Sequence, residues 1–226
     1  MPLALTGSLA VAGLLAGWPQ RAAIVRLTVP ASPPAPDEQV PKARTVPPAL
    51  VVGCVTAILL GALAARVPGG TAARDLVLAA ACWLAVCAVP LIFTDLAVSR
   101  LPDPLTAAAY AGTAALLLLA AAVDGSWPAA ARAGLGGLVL VSFYLLLMII
   151  SPSGMSLGDV KLAASLGTLL AWYGWRVLIA GGAAGFLLGG LGGVVLLASR
   201  RADRKQLIPF GPFMIAGAFL AVLTLR

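Results

Sequence analysis

The chain has 226 residues, of which 61% are hydrophobic and 10% are charged, and its mean hydropathy is +1.03. A soluble globular protein carries about 25% charged residues, so this composition excludes a soluble domain and predicts a polytopic membrane protein. The absence of histidine from the sequence excludes Ser-His-Asp catalysis and His-ligated zinc or haem. Orientation in a bilayer and contact with anionic lipid account for the net charge of +7, and no basic run with interleaved aromatic residues indicates nucleic-acid binding.

Apolar runs separated by polar segments predict an all-α bundle of about eight membrane helices. The count falls to seven if the short sixth run is re-entrant. The predicted spans, in chain order, are residues 3–18, 48–65, 75–94, 105–123, 133–150, 160–175, 177–198 and 210–225.

The segment between the first two predicted helices is the one long loop. Residues 19–47 are rich in proline, which opposes both helices and central strands, so we expect an extended linker here. The chain is therefore predicted to divide into two parts. Residues 1–47 hold the first membrane helix and the Pro-rich cytoplasmic linker, and residues 48–226 form the membrane-embedded bundle.

Positive charge alternates between the two sets of loops. With their flanking residues, the loops at 19–47, 95–104, 151–159 and 199–209 carry ten Lys and Arg residues, and the opposite side with the C-terminus carries five. Because cytoplasmic loops of membrane proteins are enriched in Lys and Arg, the first set of loops is predicted to be cytoplasmic.

The seventh predicted helix carries a glycine at every fourth position. Gly181, Gly185, Gly189 and Gly193 would form a flat ridge along one face. Small residues at this spacing let a neighbouring membrane helix approach closely. We interpret the ridge as a packing surface rather than as a hinge or gate.

Two acidic residues lie where a simple structural role does not account for them. Asp95 falls at the C-terminal end of a predicted helix, where the helix dipole disfavours negative charge, and Asp159 falls at the start of another helix. Both are predicted at the cytoplasmic face, and one helical hairpin separates them, so the two carboxylates could meet. Asp103 differs, since it precedes Pro104 in the pattern of a helix N-cap.

Two adjacent carboxylates could perform acid–base hydrolysis without a metal or a covalent intermediate. Because like charges in close contact do not readily ionise together, the pair would share one proton. The ionised member could take a proton from water while the neutral member polarises an amide carbonyl. The alternative is that each acid caps a helix or pairs with a nearby cation such as Arg100 or Lys161. Position alone leaves both interpretations open.

Three local strings resemble the type IV prepilin peptidases, which are intramembrane aspartic peptidases of the GxGD type. Residues 95–106 (DLAVSRLPDPLT) resemble the first aspartate motif of that family, and residues 154–162 (GMSLGDVKL) resemble its glycine-rich GxGDxKL loop. Residues 208–213 (IPFGPF) resemble a late IPFGP segment. The three strings occur in the family's order and together span more than half of the chain.

The resemblance implies that Asp95 and Asp159 are the catalytic dyad of an endopeptidase. Such an enzyme removes the short basic leader of prepilins or pseudopilins at the cytoplasmic face of the bacterial cytoplasmic membrane. It needs no cofactor or metal, and its partners are the protein substrate and the lipid bilayer. Supporting loop residues would be Pro102, Gly154, Gly158 and Lys161. We expect the glycines to allow a peptide to approach closely and Lys161 to contact lipid phosphate.

The sequence departs from the family pattern at two places. Ser156 stands where the first glycine of GxGD is usual, and residues 19–47 lack the cysteine-rich loop of members that also methylate the new N-terminus. The second departure predicts cleavage without N-methylation, as in the short peptidases of Flp-type (Tad) pili. The alternatives are a proton-coupled small transporter, since intramembrane aspartates also relay protons, and a non-catalytic membrane subunit of pilus assembly.

Overall fold

The structure is a computed structural model that describes residues 2–28, 46–67, 70–150, 155–198 and 209–225. Within these ranges the chain forms eight α-helices and no strands. The helices are α1 (Pro2–Thr28), α2 (Ala49–Arg66), α3 (Ala72–Val98), α4 (Asp103–Asp124), α5 (Trp127–Ile150), α6 (Leu157–Tyr173), α7 (Trp175–Ala198) and α8 (Gly211–Leu225). Among the described residues, α2 to α5 and α7 are long and apolar enough to cross a membrane, and α8 is a shorter apolar helix. The prediction of an all-α polytopic bundle is confirmed.

The first helix is longer than predicted. The predicted span ended at residue 18, but α1 continues through Pro19 to Thr28, so the predicted linker at 19–47 begins inside a helix. Burial explains the difference, because Gln20 and Ile24 are packed inside the bundle and their contacts outweigh the missing N–H of one proline. Residues 29–45 lie outside the described residues, and the division of the chain near residue 47 stays a prediction.

Helices α3 and α6 form the centre of the bundle. Consecutive helices pack as the hairpins α1–α2, α3–α4, α5–α6 and α7–α8. Helix α3 also contacts α1, α2, α6 and α8, and α6 also contacts α4, α7 and α8. Leu84 and Leu91 of α3 and Leu162 and Leu166 of α6 are almost fully buried in the same core. The two helices that carry the candidate dyad are therefore held on several sides.

Close helix contacts depend on glycine. A Cβ atom added to Gly217 of α8 would lie 2.3 Å from the backbone nitrogen of Gly185 of α7. A Cβ atom added to Gly181 would lie 2.8 Å from the side chain of Leu170 in α6, and one on Gly189 would overlap the ring of Phe210. The predicted packing role of the α7 glycines is confirmed at these three positions.

Arg132 of α5 caps the C-terminal end of α6. Its Nε donates to the carbonyl of Ala171 at 2.7 Å, and its Nη2 donates to the carbonyl of Trp172 at 2.7 Å. These carbonyls belong to the last turn of the helix, where backbone acceptors lack intrahelical partners and the dipole favours a cation. This contact fixes α6 at the end opposite to Asp159.

We expect Gly217→Ala to destabilise the protein and Gly190→Ala not to do so. The added methyl group at position 217 meets the α7 backbone, which cannot move aside as a side chain can, and such overpacking costs about 1–3 kcal/mol. Gly190 has no atom within 4 Å of an added Cβ, so the methyl group there should raise helix stability by about 0.5–1 kcal/mol. Thermal unfolding of both variants in detergent measures the difference, and equal melting temperatures would contradict the proposed α7–α8 contact.

Candidate active site

Asp95 lies in the last turn of α3 and is almost completely buried, with 2% of its surface exposed. Its Oδ2 accepts a hydrogen bond of 3.0 Å from the backbone N–H of Gly211, the first residue of α8. Helix α3 ends three residues later, and Ser99 adopts a left-handed conformation with φ 50° and donates its N–H to the carbonyl of Asp95. The carboxylate of Asp95 therefore faces the positive N-terminus of another helix.

Asp159 lies in the first turn of α6 and is 3% exposed. Its Oδ2 accepts hydrogen bonds from the backbone N–H of Ser156 at 2.8 Å and from the Ser156 hydroxyl at 2.9 Å. The N–H of Asp159 donates in return to the Ser156 hydroxyl at 3.4 Å, which completes a capping box. The other carboxylate oxygen, Oδ1, is buried and has no hydrogen-bond partner among the described residues.

The structure brings the two carboxylates together at one end of the bundle. Helix α3 contacts α6, and the two carboxylates lie within electrostatic range of each other. Leu101 packs against both loops of the site, because a Cβ atom added to Gly158 would lie 2.7 Å from its Cβ and one added to Gly211 would lie 3.5 Å from its Cδ1. All three family-like strings therefore meet around the carboxylate pair, although the catalytic role of the pair stays a prediction.

The predicted roles of Asp103 and Lys161 are corrected by the structure. Pro102 is the N-cap residue of α4, no side chain caps this helix, and Asp103 is its first residue. The Oδ1 of Asp103 lies 2.6 Å from the Nζ of Lys161, in an ion pair between the first turns of α4 and α6. Lys161 is therefore paired with a carboxylate and not left to contact lipid phosphate. As predicted, it points away from Asp159, since Lys161 is exposed and Asp159 is buried.

The structure bears differently on the three other predicted supporting residues, Gly154, Gly158 and Pro102. Gly154 lies outside the described residues. Gly158 makes the close approach to Leu101 that requires a residue without a side chain. Pro102 starts α4, and its carbonyl accepts the N–H groups of Leu105 and Thr106 at 3.1 Å each. It thereby fixes the position of the neighbouring Leu101 relative to α4.

Sequence reasoning missed three residues of the site. Ser156 was considered only as a departure from a family glycine, yet Ser-x-x-Asp before an apolar run is itself a capping-box pattern. Gly211 was considered only as part of the IPFGPF string, and a backbone N–H at a helix start does not indicate which carboxylate it contacts. Tyr144 lies in a uniformly apolar run without any such signal. It is buried, lies within electrostatic range of Asp159, and packs edge to face against Phe210 with ring centroids 5.9 Å apart.

Within the described ranges, no basic side chain neutralises the carboxylate pair. In the described part of the chain, Lys161 and Asp103 form the one ion pair, and neither Asp95 nor Asp159 contacts a basic side chain. The alternative of ion pairing is therefore wrong for both acids, although Asp159 does act as a capping residue. No group of three or more Cys, Asp or Glu side chains among the described residues could hold a metal ion. Two buried carboxylates without a cation favour a shared proton.

A large cavity among the described residues is separate from this site. It has a volume of about 1310 Å³ and lies between the first four helices, along the half of α3 that precedes Val86. Leu60, Leu78 and Trp83 are among the apolar residues that line it. Neither Asp95 nor Asp159 lines this cavity, so the cavity is not part of the candidate site.

Curated proteins with similar sequences carry one common name. A prepilin leader peptidase/N-methyltransferase of Pseudomonas aeruginosa is 37% identical over 81 residues, which cover 36% of this chain and 27% of the relative. Proteins of the same name from Aeromonas salmonicida and Aeromonas hydrophila are each 35% identical over 136 residues, which cover 60% of this chain and 45% and 46% of the relatives. These matches confirm the resemblance to the type IV prepilin peptidases.

The similarity to prepilin peptidases is partial. The chain spans less than half the length of these curated relatives, whose name combines a leader peptidase with an N-methyltransferase. No family model matches the chain, and no solved structure gives a significant match.

We expect Ser156→Ala to lower the free energy of unfolding by about 1 kcal/mol, because it removes the hydroxyl that caps α6. Ser156→Gly, which creates the glycine usual in this family, should cost only a few tenths of a kcal/mol. Ser156→Thr keeps a hydroxyl and serves as the matched control. Denaturant titration in detergent measures all three variants. If the alanine and threonine variants were equally stable, the capping box would contribute nothing.

Proposed function

We propose that this chain is an aspartic endopeptidase that removes the leader of prepilin-like proteins, with Asp95 and Asp159 as its catalytic dyad. The observation that carries the proposal is that α3 and α6 hold two buried carboxylates within electrostatic range of each other, neither of which contacts a basic side chain among the described residues. Buried acids in a membrane bundle are costly and mark functional sites. The relatives' name and the three family-like strings support the same activity.

The hydrogen bonds suggest different roles for the two acids. Asp159 accepts two hydrogen bonds from Ser156 and lies at a helix N-terminus, and both features stabilise an ionised carboxylate. Asp95 accepts one hydrogen bond from Gly211 and lies at the C-terminal end of its own helix. We therefore assign Asp159 as the ionised base and Asp95 as the protonated acid of the resting dyad.

Hydrolysis then needs no covalent intermediate. Asp159 takes a proton from a water molecule as the water oxygen bonds to the scissile carbonyl carbon, and the proton on Asp95 passes to the carbonyl oxygen. When the C–N bond breaks, Asp159 returns its proton to the leaving amine, and Asp95 takes back the proton from the hydroxyl that becomes the new carboxyl group. The N–H of Gly211 orients Asp95 through these steps.

Water and peptide must be able to reach the dyad. Asp95 and Asp159 are only 2% and 3% exposed, so the peptide has to separate the helix ends around them. The distribution of Lys and Arg supports a position near the cytoplasmic face. There the cytoplasm supplies water, and an apolar substrate helix can stay within the bilayer while its leader junction enters the site.

The absence of cysteine from residues 19–47 supports cleavage without N-methylation. The bifunctional members of the family carry a cysteine-rich loop for the methyl transfer. We therefore assign this chain to the leader peptidase reaction alone.

Asp95→Asn and Asp159→Asn should each reduce leader removal by at least about a hundredfold, because each takes one member of the acid–base pair away. The measurement is co-expression with a candidate prepilin, scored by the shift in size on loss of the leader, with membrane levels of each variant determined by immunoblot. Asp103→Asn is the matched control, since Asp103 is exposed and outside the pair, and it should retain processing.

Different results would favour the alternatives. Normal processing by both dyad variants would exclude the aspartic mechanism. A wild-type protein that cleaves no prepilin, but acidifies or alkalises proteoliposomes in a manner that depends on Asp95, would indicate proton-coupled transport. A wild-type protein without either activity that still supports pilus assembly would indicate a non-catalytic subunit.

The mature pilin released by this protein should carry an unmethylated N-terminus. Purified protein, prepilin and S-adenosylmethionine are incubated together, and the new N-terminal peptide is identified by tandem mass spectrometry. A curated bifunctional relative serves as the positive control for methylation. A methylated product from this chain alone would contradict the assignment.

A further inference from the structure

Helix α3 contains a proline one and a half turns before Asp95. Pro90 has no N–H, so it cannot donate to the carbonyl of Val86, the residue four positions earlier, and its ring pushes that carbonyl outwards. In a membrane bundle a backbone carbonyl freed in this way needs another donor. The direction of the last turns of α3, and therefore the position of Asp95, depends on which group donates a hydrogen bond to the Val86 carbonyl.

A glutamine side chain from α1 supplies the donor for the Val86 carbonyl. The Nε2 of Gln20 donates to the carbonyl of Val86 at 2.9 Å, across 66 residues of sequence. The Oε1 of Gln20 lies 2.8 Å from the hydroxyl of Thr56 in α2, which also lies 2.9 Å from the carbonyl of Val52 and can donate its one proton to either oxygen. Both side chains are buried, with Gln20 6% and Thr56 0% exposed. One amide therefore links α1 and α2 to the broken hydrogen-bond ladder of α3.

A second polar side chain bonds back to the backbone within the same segment. The hydroxyl of Thr94, next to Asp95, lies 2.9 Å from the carbonyl of Pro90 and 3.1 Å from that of Leu91. Hydroxyls that bond back to the preceding turn bend helices. The segment from Val86 to Asp95 thus has a proline, a back-bonded threonine, a hydrogen bond from Gln20 at its start and one from Gly211 at its end.

We propose that Gln20, held by Thr56, is a positioning residue that fixes the direction of the end of α3 and thereby places Asp95 against Asp159. This inference rests on the proposed function for its effect on catalysis. Its structural part, the distance between the ends of α3 and α6, can be measured independently. Without the amide, the Val86 carbonyl loses this donor, and we expect the end of α3 to relax to another direction or to several.

The rest of the contact between α1 and α2 does not depend on the amide. A Cβ atom added to Gly13 or Gly17 would lie 2.6 Å or less from the α2 backbone, so these helices are in direct contact. Ile24, Val52 and Val89 form an apolar cluster beside the amide. Replacement of Gln20 by methionine, which has a similar length, should therefore leave the bundle assembled.

The test compares Gln20→Met with the wild type in two measurements. Spin labels on the exposed residues Leu96 and Leu157 report the distance between the ends of α3 and α6 by pulsed EPR, in a background with the three cysteines replaced. We expect a shifted or broadened distance distribution in Gln20→Met. Steady-state cleavage of a prepilin by unlabelled protein should show kcat reduced by about tenfold to a hundredfold, with KM changed less than about twofold.

Two further variants separate positioning from general damage. Thr56→Val removes the hydroxyl that holds the amide and should shift the distances in the same direction to a smaller degree, whereas Thr56→Ser should resemble the wild type. In Pro90→Ala the N–H at position 90 can satisfy the Val86 carbonyl, so adding Gln20→Met there should cause no further change in distance. An unchanged distance distribution in Gln20→Met overturns the proposal. If the wild type cleaves no prepilin, the proposed function fails, and the EPR result still decides the positioning role.

Discussion

Burial of two carboxyl groups side by side in an apolar bundle is the constraint on which this structure depends. Each carboxylate is placed where a helix end supplies donors that the bilayer interior cannot. Gly211 at the start of α8 donates to Asp95, and Ser156 before α6 donates to Asp159. The central position of α3 and α6 in the bundle follows from the same constraint, because only residues packed on several sides keep such donors aligned.

Hydropathy was enough to predict most of the fold, and the exception is informative. The apolar runs located α2 to α8 to within four residues at each end, since the bilayer requires long apolar helices. Only the start of α5 differs by more, since this helix begins at Trp127 and not at the predicted residue 133. The end of α1 was missed because Pro19, Gln20 and Arg21 read as the start of a loop. Gln20 is instead buried against α2 and α3. A polar residue with a specific tertiary partner cannot be distinguished by hydropathy from one that faces water.

The candidate site shows the same limit. Asp95 and Asp159 were identified from their places at helix ends and from the strings around them, and the single hairpin between them predicted that they meet. The donor to Asp95 could not be predicted, since Gly211 lies 116 residues away and contributes only a backbone N–H. The pairing of Lys161 with Asp103, 58 residues apart, likewise depends on how the first turns of α4 and α6 are placed.

The backbone contact between Gly185 and Gly217 has a mechanical consequence for access to the dyad. At this contact no side chain separates the backbones of α7 and α8. One helix therefore cannot slide along the other there without a steric clash. A displacement that separates the N–H of Gly211 from Asp95 therefore moves α7 and α8 together. Helix α8 contacts α3 less extensively than it contacts α7. Loss of the hydrogen bond between Gly211 and Asp95 would then require the displacement of two helices rather than one.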